Sequence, residues 1–330
     1  MNENDSSASH QVMINTLVAA GTALILLAVG TVFFISSVRS TPIAADSVSD
    51  STSSSEPLID GQAASEPVRL LAEAKNLVFV LADDLDWNLF NQVPRLAALK
   101  EQGITFTNHT VTDSLCCPSR VSIMRGQYIH NHKVISNIEK TGGGWPTFRD
   151  RKEENDCLPV WLNNAGVTTA LFGKYLNDFP SEPKEAKYIP PGWDQWAVPI
   201  SRGDSYTGYN YTLNDNGSLV RYGNKTSDFL NDVITNKATQ FIQTAQQPFF
   251  LELSTYSPHK PAPVATRNAL KQGGTLAPRN PTYNSYGVDE PKWMKDRTPL
   301  NATRLAKADR QWRQRARSAE SIADSVDAIM

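Results

Sequence analysis

Four short stretches of this sequence carry the residue types that anion-transfer chemistry uses. The apolar run Asn76–Leu81 leads into Asp83-Asp84, Thr168–Phe172 into Gly173-Lys174, and Phe249–Ser254 into Pro258-His259-Lys260-Pro261. In open α/β sheets ligands bind beyond the carboxyl ends of the strands, so an acidic pair, a lysine and a histidine would converge there. Each has an ordinary alternative: adjacent aspartates often cap a helix or shape a turn, a lone lysine is usually a solvated charge, and a lone histidine more often serves structure. The fourth stretch is Ser114-Leu115-Cys116-Cys117-Pro118-Ser119-Arg120, continuing to Met124-Arg125-Gly126. Pro118 suits the start of a short helix and Gly126 its end. Cys116 then sits at a helix N-terminus, where amide donors and the helix dipole favour an anion, with Arg120 one turn later and placed to reach back toward it. By residue type alone the pair reads equally as an activated thiol or as two buried cysteines.

The elements that must position these residues follow from patterning. Asn76–Leu81 is a continuous apolar run with β-branched content, as expected of a strand buried on both faces. A helical stretch from Pro94 to a stop at Gly103 follows it, then a short strand at Ile104–Asn108. Thr168–Phe172 and Phe249–Ser254 are further strands, each preceded by a helical pattern, so an α/β fold around a mixed, largely parallel sheet is expected. Arg304–Met330 reads as a helix with Trp312, Ala316, Ala319, Ile322, Ala323, Val326 and Ile329 at three- and four-residue spacing. Its apolar face runs on with no stop signal, which implies truncation and an uncovered helix face; the alternative is a C-terminal helix docked on the core.

Composition is that of an ordinary globular protein, 40% hydrophobic with 32 basic and 34 acidic side chains. A net charge of -2 with no basic run argues against a nucleic-acid-binding module. The cysteines are Cys116, Cys117 and Cys157: an odd count and an adjacent pair, which rules out a full disulfide framework. Thr16–Val38 carries no charge, and a run beyond about 18 to 20 apolar residues is long enough to span a bilayer. Residues 1–39 are therefore expected to be an N-terminal membrane anchor, or a signal peptide cleaved near Ile43-Ala44-Ala45, which would release a secreted protein. Residues 40–74, rich in Ser, Ala, Asp and Pro, read as a flexible linker, and residues 75–330 as the folded part. Sequons at Asn108, Asn210, Asn216, Asn224 and Asn301 favour a lumenal or extracellular location.

The run Cys116–Arg120, with flanks out to Gly126, resembles the C-x-P-S-R signature of the type I sulfatases. The likeness covers roughly Lys75 to Met330, through Asn76–Asp84, Cys116–His132, Gly173–Asn177, Ile189–Trp193, Tyr209–Thr212 and Ser321–Val326. It is nearest to the N-acetylglucosamine-6-sulfatase branch, which includes extracellular endosulfatases. This resemblance implies an alkaline-phosphatase-like α/β fold and hydrolysis of sulfate esters of sugars or aryl alcohols. It implies that a formylglycine-generating enzyme oxidises Cys116 to formylglycine, whose hydrated aldehyde attacks sulfur. Asp83, Asp84 and the modified Cys116 would hold Ca²⁺, Lys174 would bind sulfate, His259 would protonate the leaving oxygen and Arg120 would orient the formylglycine. Two departures stand out. Where many sulfatases carry a histidine two residues after the lysine, this chain has Leu176, which leaves His130 or His132 as candidates for that proton. The family's second pair of metal ligands and a further lysine would follow the Arg304–Met330 helix. The competing expectations are an inactive, membrane-anchored homologue, or a phosphatase or phosphonate hydrolase of the same superfamily.

Overall fold

The apolar runs ahead of the acidic pair, the lysine and the histidine are neighbouring strands of one sheet. The computed structural model of the protein describes residues 24–29, 31–36, 75–200, 203–285, 287 and 289–330. Its strands are β1 (Leu24–Val29), β2 (Thr31–Ser36), β3 (Leu77–Ala82), β4 (Gly103–Thr105), β5 (Thr168–Gly173), β6 (Gln195–Pro199), β7 (Thr212–Asp215), β8 (Ser218–Arg221) and β9 (Phe249–Thr255). Among the described residues they form one sheet in the order β4-β2-β1-β3-β9-β5-β6-β7-β8. The β1–β3, β3–β9, β9–β5 and β5–β6 pairings are parallel, and the outer pairings are antiparallel. The expected α/β class and largely parallel sheet are what the chain adopts, and the three strands ahead of the chemistry lie side by side as β3-β9-β5.

These central strands are buried on both faces, so their apolar residues point both ways instead of alternating with exposed polar ones, and the polar residues they carry, Thr169, Glu252 and Ser254, are buried as well. Val78, Val80 and Ala82 of β3 share one core with Leu251 and Leu253 of β9, while Phe79 and Leu81 belong to a second core on the opposite face. The first core is closed by α1 (Trp87–Gln92), α5 (Leu230–Thr244) and α6 (Ala302–Ile329). The second is closed by α2 (Cys116–Arg125), α3 (Gly144–Asp150) and α4 (Leu158–Asn164), around the buried rings of Trp145, Phe148 and Trp196.

The helix α6 starts where Asn301 caps it, its side chain accepting from the Arg304 N–H at 3.0 Å. The apolar stripe from Trp312 to Val326 is buried against the first core, so the expected uncovered face is covered. Polar groups fix its register: Asn231 Nδ2 on α5 donates to the Ser321 carbonyl at 2.8 Å and to Ser325 Oγ at 2.7 Å.

Three expectations are corrected. The expected membrane helix at 16–38 is not formed where it is described: Leu24–Val29 and Thr31–Ser36 are strands paired with β3 and β4. An apolar run that includes β-branched Val, Ile and Thr can pair as strands as well as form a membrane helix, and periodicity cannot separate the two. Among the described residues no helix is long and apolar enough to cross a membrane. The rest of that segment, and the expected linker at 40–74, lie outside the described residues. The strand expected at Ile104–Asn108 is the three-residue edge strand β4, with Asn108 already in a turn. The helical stretch from Pro94 is a single α-turn, Pro94–Ala97, continued by a 3₁₀ turn, Ala98–Glu101.

Ile322, fully buried in the α6 stripe, reports on this docking. Ile322→Ala is expected to destabilise the fold by about 2–5 kcal/mol in urea unfolding, the usual cost of emptying a packed core site. A loss below about 1 kcal/mol would mean that α6 does not seal the core.

Candidate active site

Three strand ends and one helix start meet at a single point. Asp83 follows β3 and is 3% exposed. Lys174 follows β5, and its N–H donates to the Ser254 carbonyl of β9 at 2.7 Å. Gly173 makes that approach possible: its φ is +112, and a Cβ there would stand 1.8 Å from the Ser254 carbonyl oxygen. Lys174 Nζ reaches Asp83 Oδ2 at 2.6 Å. Arg120, inside α2, places Nη2 3.6 Å from Asp83 Oδ1 while Nη1 donates to the Lys174 carbonyl at 2.9 Å and to Ser254 Oγ at 2.6 Å. Burial alone would raise the Asp83 carboxyl, but Lys174 and Arg120 override it and hold Asp83 below the usual carboxylate range. Burial likewise disfavours the Lys174 ammonium, and Asp83 reverses this and holds Lys174 above its ordinary value.

Cys116 is the first residue of α2 and is half-buried. The turn before it is set by Asp113, whose Oδ1 accepts from the Leu115 N–H at 2.7 Å, and the Cys117 N–H donates to Asn137 Oδ1 at 2.8 Å. All three cysteines are free. Burial pushes the Cys116 thiol up, Asp83 adds to this, and Lys174 and Arg120 do not offset it. Of the two readings left open by the sequence, Cys117 fits the buried one, with its thiol pushed up to about 12 by burial.

His259 follows the turn after β9. Its Nδ1 lies 2.6 Å from the Lys260 carbonyl, which only accepts, so Nδ1 carries hydrogen and Nε2 faces the site. Nε2 is 3.6 Å from Asp84 Oδ2. One ligand atom each from Asp83, Cys116 and His259 lie within 4.8 Å of one another. Asp84 sits in a left-handed turn with φ +61. The helix-capping role that adjacent aspartates commonly fill falls to Asp86 instead, whose side chain accepts from the Leu89 N–H at 3.0 Å. Asp83, Asp84, Cys116 and Arg120 line a cavity of about 1490 Å³. The carboxylates of Asp83 and Asp84, with an oxygen in place of the Cys116 sulfur, are the hard donors Ca²⁺ prefers. They supply part of its usual complement of about six to eight oxygens.

The structure thus brings together Asp83, Asp84, Cys116, Arg120, Lys174 and His259. It does not bring in His130 or His132. His130 is exposed and stacked on Tyr128, and His132 is fully buried with Nδ1 accepting from the Val134 N–H and Nε2 3.0 Å from Ser122 Oγ. Sequence reasoning missed Ser254, which anchors Arg120, and Arg315 of α6, which donates to the Asp84 carbonyl and lies 3.2 Å from Asp86 Oδ2. A serine inside an apolar strand was the only trace of the first; nothing in the helical pattern marks the second.

The sulfatase family's sequence model matches residues 75–327, and the chain belongs to that family. It is 32% identical over 265 residues to an extracellular sulfatase homologue of Caenorhabditis elegans, covering 77% of this chain and 36% of that protein. It is also 32% identical over 264 residues to the N-acetylglucosamine-6-sulfatase of Capra hircus, covering 77% of this chain and 46% of that one. The chain thus spans less than half the length of these relatives. Among solved structures, one in complex with its substrate D-glucosamine-2-N,6-O-disulfate superposes with a TM-score of 0.54 at 17% identity, over 77% of this chain and 60% of that chain. A Bacteroides fragilis sulfatase superposes with a TM-score of 0.53 at 21% identity, over 82% and 60%. The fold is the alkaline-phosphatase-like α/β fold expected from the sequence.

His132 gives this region a pH signature. Burial, with Arg125 and Arg151 close by, pushes its imidazole from 6.5 down to about 4. Between those values the unfolded chain binds the proton and the folded protein does not, so stability rises with pH across that window and is lost on acidification. In His132→Asn this part of the slope should disappear from unfolding curves measured between pH 4 and 6.5. An unchanged slope would contradict the buried, neutral assignment.

Proposed function

We propose that the protein hydrolyses sulfate esters of sugars on the extracytoplasmic side of the cell, using formylglycine formed from Cys116 by a formylglycine-generating enzyme, with Ca²⁺ held by Asp83, Asp84 and the oxygen at position 116. The observation that carries this reading is the pair of buried cations, Lys174 and Arg120, packed around one buried carboxylate at the helix start occupied by Cys116. Lys174 and Arg120 balance the two carboxylates Asp83 and Asp84, so Ca²⁺ held there would supply the net positive charge that complements a sulfate monoester anion.

The Cys116 Sγ stands in for the oxygen that formylglycine would place there. The hydrated aldehyde supplies an oxygen nucleophile for sulfur and splits the reaction into two easier steps. Ca²⁺ would offset charge on the sulfate and on that oxygen. Arg120, fixed by the Lys174 carbonyl and by Ser254 Oγ, is pre-oriented and needs no rearrangement as charge develops. Lys174 would balance the equatorial sulfate oxygens. His259, with Nδ1–H committed to the Lys260 carbonyl, would present Nε2 to the leaving oxygen as general acid, a role typically worth about 10²–10⁴-fold. A sugar substrate is favoured by the glucosamine-6-sulfatase relatives and by the glucosamine disulfate complex among the structural neighbours. The extracellular sulfatase relatives, together with five exposed sequon asparagines, favour the extracytoplasmic location.

The test is to express the full-length protein with a formylglycine-generating enzyme, map the Cys116 peptide by mass spectrometry and assay glucosamine 6-sulfate. The expected result is an aldehyde at Cys116 that reacts with hydrazides, with turnover that is abolished in Cys116→Ala. Turnover with Cys116 unmodified would refute the reading.

A further inference from the structure

A loop that none of the four chemical stretches includes also reaches the site. Residues Asp204–Thr207 form a single 3₁₀ turn. Thr207 Oγ1 donates to the Asp204 carbonyl at 2.7 Å, and Gly208 ends the turn at φ +78, its carbonyl accepting from the Leu230 N–H at 2.9 Å where α5 begins. A Cβ on Gly208 would meet Phe229 at 2.9 Å, so the turn is packed tightly onto the scaffold. Ser205, 1% exposed, hydrogen-bonds Tyr256 just beyond β9. The turn is thus tied to the same strand end that leads to His259.

Tyr206 is the residue this turn delivers. Its ring lies edge-on to Tyr256, with centroids 4.9 Å apart and planes at 88°. It packs on the His259 imidazole at 4.6 Å and 49°. Lys174 Nζ lies over the Tyr206 ring, 5.2 Å from its centroid. One aromatic side chain therefore touches both the general-acid candidate and the sulfate-binding lysine candidate. The imidazole edge is held by Nδ1, which donates to the Lys260 carbonyl, with Asp84 3.6 Å from Nε2. An edge contact leaves the ring plane free to rock about the line of that bond, whereas a second ring packed at a tilt 4.6 Å away restricts that motion.

We propose that Tyr206 is a positioning residue for His259: its ring fixes the imidazole plane so that Nε2 meets the leaving oxygen. The inference rests on the sulfate-ester reading of the site. The contact with His259, not the one with Lys174, carries the effect, because Asp83 already holds the ammonium at 2.6 Å. The two contacts predict different behaviour. Loss of an acid's alignment harms substrates with poor leaving groups, whereas loss of a sulfate-binding contact harms every sulfate ester alike and raises KM.

The experiment compares Tyr206→Phe and Tyr206→Ala in the full-length, converted protein. For glucosamine 6-sulfate, Tyr206→Ala should lower kcat about ten- to a hundred-fold with little change in KM, the scale expected of a misplaced catalytic group. Nitrophenyl sulfate, whose phenolate needs little protonation, should lose far less, and Tyr206→Phe should restore the sugar sulfate rate. In a His259→Ala background Tyr206→Ala should add no further loss. Equal losses on both substrates, or losses that multiply with His259→Ala, would overturn the proposal. A second readout needs no turnover: acylation of His259 by diethyl pyrocarbonate, followed by peptide mass, should be faster in Tyr206→Ala than in wild type or Tyr206→Phe. If wild type hydrolyses no sulfate ester, the sulfatase reading falls, and the acylation rates still decide whether Tyr206 restrains His259; unchanged rates would overturn that contact.

Discussion

The ion pair between Asp83 and Lys174, 2.6 Å long and 3% exposed on both sides, is the constraint on which the rest of the structure depends. Taking either charge out of water alone costs several kcal/mol, so the pair is tolerable only if both partners arrive together and their remaining hydrogen-bonding groups are satisfied. Asp83 comes from β3 and Lys174 from β5, which are not neighbours: β9 lies between them. The pair therefore forms only if three parallel strands end at one level. Ser254 of β9 supplies the middle of this arrangement, accepting from the Lys174 N–H through its carbonyl and from Arg120 through its hydroxyl. The glycine before Lys174 is part of the same requirement, because any side chain there would collide with the Ser254 carbonyl.

The site inherits its rigidity from this cluster. Arg120 is locked by groups on β9 and on the residue after β5, so the helix that carries it, α2, is pinned by the face that meets the sheet. Cys116 opens that helix and is therefore fixed relative to Asp83. On the opposite side of the sheet, α5 and α6 are joined through Asn231, Ser321 and Ser325. Arg315 extends from α6 to the Asp84 carbonyl, linking that packing to the exposed rim of the site. The buried part of the site is thus held by strand register, and its exposed rim by helix docking.

The ends of β3, β5 and β9 were legible in the sequence because a strand buried on both faces is apolar along most of its length, Thr169 and Glu252 apart, and the candidate groups sit where such runs stop. The start of α2 was legible through Pro118 and Gly126, and the stripe of α6 through its spacing. Less was legible where identity depends on a distant partner. Ser254 is one more small residue in a strand until Arg120 is seen to bond it, and Tyr206 lies in a turn whose place against His259 is set by Tyr256. Thr16–Val38 shows the opposite failure: uniform apolarity with many β-branched residues fits a membrane helix and a strand pair equally, and the described part is strand. His132 was drawn in by nearness in sequence to Cys116, but its short helix turns it into the core, against Ser122.

The most direct test of the account is a double-mutant cycle on the central ion pair, read as stability by urea unfolding of the full chain. Lys174→Met leaves Asp83 buried with Arg120 as its remaining cation and should cost about 3–5 kcal/mol, the usual penalty for breaking a buried pair from one side. Asp83→Asn combined with Lys174→Met removes both charges and should be less destabilised than Lys174→Met alone, with a coupling of about 2 kcal/mol or more. Additive losses in the double variant, or a loss below about 1 kcal/mol in Lys174→Met, would show that the pair is not the element on which strand register and site depend.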